Sequence, residues 1–177
     1  VGYSVERRFI NKLPKLNIRK DKTVTHIIED SIQGWAGALD ALMMSFFKGG
    51  NQIRFDGSNV RPEGAYISGG FKAPGPEGLK SSLEKMETLL NSVVAAGGKL
   101  KTINSYDIVM HLADAVLSGG VRRSATICLF SYDDEDMMSA KTGSWFIDNP
   151  QRARSNNSAV LLRSKVTFDQ FERLVNN

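Results

Sequence analysis

Between Asp30 and Gly50 the large apolar residues Ile32, Trp35, Ala36, Leu39, Leu42, Met43 and Phe46 recur at three- and four-residue steps. That spacing predicts a helix, with Asp30 or Ser31 as its cap and Gly49-Gly50 as its end. Its apolar stripe is broad, so it must pack against something substantial, either this chain's core or a partner helix. A second helix follows Pro76, which suits a first helical turn, and turns Leu79, Leu83, Met86, Leu90, Val93 and Val94 inward before Gly97-Gly98. A third, capped by Asn104 or Ser105, buries Ile108, Val109, Leu112, Ala113, Val116 and Leu117 and stops before Gly119. Strands are expected at Val1 to Val5, which alternates, and at Gln52 to Phe55. The mostly apolar runs Ala125 to Phe130 and Ser158 to Leu162 predict strands buried on both faces.

Between these elements the signals change. Glu6 to Lys22 is charged and interrupted by Pro14, as a surface segment would be. Asp56 to Pro76 carries five glycines from Gly57 to Gly75, and irregular stretches of that length are usually functional or disordered. Asp133, Asp134, Glu135 and Asp136 open a short helix, where carboxylates complement the positive end of the helix dipole. Thr167-Phe168-Asp169-Gln170 is a capping-box pattern that begins another helix close to Asn177, offering Phe168, Phe171 and Leu174 to a core. The chain is expected to be a slice of something longer. Helices alternating with buried strands predict an α/β fold, and 177 residues suffice for one domain or a large part of one.

Composition adds little. With 41% apolar residues the chain has the makings of a core, and Leu39 to Phe47, the longest apolar run, is broken by Asp40 and Ser45, so no membrane span is expected. Val1 to Ile10 has no export-signal pattern, and a single cysteine, Cys128, cannot form an internal disulfide; both point to a cytoplasmic location. Basic residues outnumber acidic ones by 23 to 19, for a net charge of +4, which would suit a phosphate-bearing partner.

Ser118-Gly119-Gly120-Val121-Arg122-Arg123-Ser124-Ala125 lies between a predicted helix and a predicted strand. The glycines can cap the helix, but they also let backbone approach a ligand, and guanidinium groups suit phosphate or a base edge. Asn149 to Ser158 leads into a strand, so Asn156 and Asn157 are either turn residues or one wall of a polar pocket. His26 and His111 have no partner at metal or triad spacing, and Cys128, in an apolar run, reads as a core residue. No complete active site is visible. A nucleic-acid-binding reading of Arg122, Arg123, Arg152 and Arg154 lacks interleaved aromatics, whereas a stand-alone nucleotide- or phosphate-binding module without catalysis is a working alternative.

Taken in order, Gly2-Tyr3-Ser4-Val5, Asp30-Ser31-Ile32-Gln33-Gly34-Trp35, Val60-Arg61-Pro62-Glu63-Gly64, Ser68-Gly69-Gly70, Gly75-Pro76-Glu77, Ser118 to Ala125 and Arg152 to Ser158 resemble the catalytic subunit of ribonucleotide reductase. The likeness is strongest to its monomeric, adenosylcobalamin-dependent ribonucleoside-triphosphate reductase class, with the dimeric metal-radical class as the alternative. The resemblance implies part of the first half of a ten-stranded α/β barrel, with a helical insertion at about residues 6–50 that mimics a dimer interface beside an effector site.

By the same resemblance, Ser118, Gly119, Gly120, Val121, Arg122 and Arg123 pass between the substrate base and a deoxynucleoside triphosphate effector, Arg61 lies on the effector side, and Asn156 and Asn157 are candidate substrate- or effector-binding residues. The implied activity is thiyl-radical conversion of ribonucleoside triphosphates to deoxyribonucleotides, served by a thioredoxin-type reductant and the remainder of the same polypeptide. The family's Asn-x-Cys-x-Glu stretch and reductant cysteines are absent here, and Cys128 matches none of them. The slice is therefore expected to carry specificity loops but no catalytic residue or metal ligand, with the cobalamin contacts elsewhere.

Overall fold

The computed structural model describes residues 1–67, 70–116 and 125–176. Their elements are β1 (Gly2–Ser4), α1 (Arg7–Ile10), β2 (Lys20–Ile27), α2 (Ile32–Phe47), β3 (Asn51–Asp56), α3 (Glu77–Ala95), α4 (Thr102–Ala115), β4 (Thr126–Ser131), α5 (Glu135–Met138), α6 (Trp145–Asp148), β5 (Ser155–Val160) and α7 (Phe168–Val175). The fold is α/β with parallel sheets. Among the described residues there are two sheets, of three and two strands, and no closed barrel.

The chain divides into two compact units. The first contains residues 1–13, 101–110 and the described residues from 125 onward. Its sheet runs β1-β4-β5, all parallel, with Tyr3 opposite Cys128 and Cys128 opposite Asn157. Val5, Ile10, Tyr106, Met110, Cys128, Phe130, Met137 and Ala140 form its core. The link from β4 to β5 is a crossover through α5, α6 and a tight 3-10 turn, Pro150–Arg154, as parallel neighbours require. Asp134 caps α5 by accepting from the Met137 amide, so one of the four acids read as a helix start has a definite task.

The second unit is a β2-α2-β3 crossover packed with α3. Ser31 caps α2 through the Gly34 amide, as the sequence predicts. The buried face of α2 is narrower than its apolar stripe: Ala38, Leu42, Ser45 and Phe46 are inside, whereas Ile32 is 85% exposed. In α3, Leu79, Leu83, Met86, Leu90 and Val93 are buried as expected. Asn17 closes the end of α2, its amide nitrogen donating to the Phe47 carbonyl at 2.7 Å and its backbone nitrogen to that of Phe46 at 2.8 Å.

Four expectations are corrected. β2 falls partly within the stretch read as surface; its charged, exposed first half hides a strand that Thr23, Val24, Thr25 and Ile27 announce through β-branching. α4 starts at Thr102, before either expected cap, and Asn104 instead accepts from the Lys101 amide from inside the first turn. β4 is buried on one face only, because Ile127 is 41% exposed. β5 begins at Ser155 and ends at Val160, leaving Leu162 outside and 60% exposed; pairing with β4, not side-chain hydropathy, sets those limits.

Two glycines test this packing with opposite sign. Gly98 has φ +79°, and a Cβ there would sit 2.3 Å from the Leu16 carbonyl oxygen, which belongs to the same unit. Gly37 lies inside α2 with open space around it. Gly98→Ala should lower the unfolding free energy by about 1–3 kcal/mol through strain, and Gly37→Ala should raise it by about 0.5–1 kcal/mol through helix propensity. Urea titration of both variants distinguishes the two effects.

Candidate functional site

Because β1, β4 and β5 are parallel, their amino ends share one edge. The Val1 ammonium donates to the Ala125 carbonyl at 2.7 Å, and the Thr126 hydroxyl donates to the Arg154 carbonyl at 2.8 Å, tying the three entries together. Ser118, Gly119, Gly120, Val121, Arg122 and Arg123 lie outside the described residues. The first described residue after them is Ala125, at this edge, and Asn156 and Asn157 enter β5 at the same edge.

Alternation along β5 sends the two asparagines to opposite faces. Asn156 is exposed, opposite Ile127. Asn157 faces inward in one row with Cys128 and Tyr3, and Tyr106 of α4 packs in the same core. The Tyr3 hydroxyl and Asn157 Oδ1 are both buried and lack a hydrogen-bond partner of normal geometry among the described residues. Burial pushes the Cys128 thiol up to about 11 and the Tyr106 phenol up to about 12; Tyr3 is raised further still, first by burial and then by Cys128. At neutral pH the thiol and both phenols keep their protons, so Cys128 enters the core as a packed thiol.

The approach to β5 is held by a buried ion pair. Arg152 Nε and Nη2 donate to the two oxygens of Asp107 at 2.8 and 2.7 Å, and Nη1 donates to the Ala140 carbonyl at 2.9 Å. The Tyr106 hydroxyl donates to the Arg152 carbonyl at 3.2 Å. The Asp107 hydrogen bonds raise the Arg152 pKa above its ordinary value. Arg152 is thus occupied in fixing the turn that leads to Asn156 and Asn157. The Asp107 end of this pair was not legible in sequence, because Asp107 and Arg152 are 45 residues apart.

Arg61, in the other unit, donates from Nε to Asp30 Oδ2 at 2.6 Å, just ahead of the Ser31 cap. Both side chains are partly exposed, so this pair stabilises little. Among the described residues no cluster of His, Cys, Asp and Glu could hold a metal ion.

Two outcomes follow from this geometry. Asp107→Asn should cost about 3 kcal/mol by stranding a buried guanidinium, and adding Arg152→Met should recover part of that loss in a double-mutant cycle. Cys128 is protonated in the fold at pH values where it ionises in the unfolded chain, so its contribution is fully present below pH 9 and is lost as pH rises from about 9 to 11. Cys128→Ala should therefore flatten the stability profile over that interval, as measured by chemical denaturation at stepped pH.

No protein-family model matches the chain. It does match curated proteins named adenosylcobalamin-dependent ribonucleoside-triphosphate reductase. The protein of Lactobacillus leichmannii is 35% identical over 196 aligned residues, which take in 90% of this chain and 26% of the relative. That of Lactobacillus gasseri is 30% identical over 174 residues, covering 95% of this chain and 23% of the relative. That of Lactobacillus delbrueckii subsp. bulgaricus is 30% identical over 90% of this chain and 26% of the relative. The chain is thus a relative of the adenosylcobalamin-dependent ribonucleoside-triphosphate reductases, corresponding in sequence to about a quarter of such a protein's length.

Proposed function

We propose that this chain is the specificity-bearing segment of a ribonucleotide reductase that converts ribonucleoside triphosphates to deoxyribonucleotides. The similarity over about nine-tenths of the chain to proteins so named carries the reading. The shared edge adds support: Ala125, the first described residue after the Gly-Gly-Val-Arg-Arg segment, lies at the edge where Ser155 opens β5 and Asn156 and Asn157 follow. In this reading Ser118 to Arg123 lie between substrate base and deoxynucleoside triphosphate effector, and Arg61 serves the effector. The parallel sheet β1-β4-β5 belongs to the first half of a ten-stranded barrel, and residues of about 6–50 form the element that imitates a dimer interface.

The relatives' names carry adenosylcobalamin dependence, and the parent protein shares it in this reading. Two of the cavities lined by described residues enclose about 320 Å3 each, room for a small molecule and not for a corrin with its nucleotide tail. Neither cavity fits the cofactor, and in this reading its contacts fall to the remainder of the polypeptide, as do the radical and reductant cysteines and the docking of a thioredoxin-type reductant.

Two measurements test the proposal. The purified chain, given ribonucleoside triphosphate, adenosylcobalamin and a dithiol, should form no deoxynucleotide, and turnover above a no-protein control overturns this division of labour. In the full-length parent, Arg122→Ala and Arg123→Ala should each change effector-dependent selectivity among the four substrates by about tenfold, the loss of one charge-assisted hydrogen bond. Unchanged selectivity ratios in both variants remove the segment from the recognition of nucleotides.

A further inference from the structure

The opposite edge of the same sheet holds a cavity that the reading above does not use. It opens where β1, β4 and β5 end, beyond Ser4, Ser131 and Val160, and encloses about 320 Å3. Carboxyl ends of parallel strands are where α/β sheets form ligand crevices, since successive connections splay apart there.

The chemistry of the walls narrows the occupant. Val160, Leu162 and Val166 supply an apolar side, with Leu162 60% exposed. The two acids that line the cavity are already neutralised. Glu6 accepts from Arg8 at 3.0 Å and from the Ser4 hydroxyl at 2.9 Å, and Asp133 is paired with Arg7. Lys165, by contrast, has no acidic partner among the described residues, so the lining has positive charge to spare.

A directed donor accompanies that charge. Gln170 is fixed from both ends: its Oε1 accepts from the Thr167 amide at 3.0 Å, and its Nε2 donates to the Tyr132 hydroxyl oxygen at 3.0 Å. Tyr132 therefore receives a hydrogen bond in a set orientation, while its own O–H has no acceptor among the described residues. A cation and a free phenolic hydrogen beside an apolar wall complement an anionic group attached to a hydrophobic body.

We propose that this cavity binds a small organic anion with an aromatic or similarly apolar body, its anionic group held by Lys165 and the Tyr132 hydroxyl. This does not rest on the nucleotide-reduction reading, which concerns the amino edge. The test is an amide chemical-shift titration of the chain with phenyl phosphate, using inorganic phosphate and phenol as separate arms. Saturable shifts should localise to residues 131–133 and 160–166. Affinity should fall about tenfold in Lys165→Glu and severalfold in Tyr132→Phe, and stay unchanged in Lys22→Glu, an equal charge change on β2. Absence of saturable shifts at those residues overturns the proposal. So does equal weakening by Lys22→Glu, or binding of phosphate or phenol alone with the affinity of phenyl phosphate.

Discussion

Parallel pairing of β4 with β1 on one side and β5 on the other is the constraint from which the first unit is built. Parallel neighbours cannot be joined by a tight turn, so the chain must travel from the end of one strand back to the start of the next. Between β4 and β5 the return uses α5, α6 and the Pro150–Arg154 turn. The result is a sheet with two chemically distinct edges: amino ends where the chain returns, and carboxyl ends where connections depart.

The same register governs the interior. Setting Tyr3, Cys128 and Asn157 in one row places a phenol, a thiol and an amide side by side on the face that Tyr106 covers. Burial keeps the phenols and the thiol protonated, so the row contributes packing and donors but no anion. The charged chemistry is concentrated instead in Asp107 and Arg152. Their two-point hydrogen bonding, and the further bond to the Ala140 carbonyl, offset the cost of removing both from water.

Asp107 illustrates how the first unit is held by contacts of its own. Its partner comes from the approach to β5, and Tyr106, its neighbour on α4, bonds to the backbone of that same approach. The turn before Asn156 is therefore held from α4 by contacts confined to one unit. In the other unit α2 and α3 bury their own apolar faces, while Ile32 remains exposed at the start of α2.

Local order was legible where one periodicity dominated. Three- and four-residue spacing located α2 and α3, Gly97-Gly98 marked the end of α3, and the Thr167-Gln170 capping box located α7. These signals succeed because they depend on residues within a few positions of one another. The ordered motifs likewise carried the family likeness, since matching them needs only the chain itself. β2 was missed because exposed charges masked its branched residues, and β5 was misplaced because its polar start is a strand only by virtue of β4 beside it. The alignment of Tyr3, Cys128 and Asn157, the Asp107–Arg152 pair, and the meeting of Glu6, Tyr132 and Lys165 around one cavity were decided by tertiary structure alone. Each joins residues separated by tens of positions, and no local pattern encodes which distant strand or helix will become a neighbour.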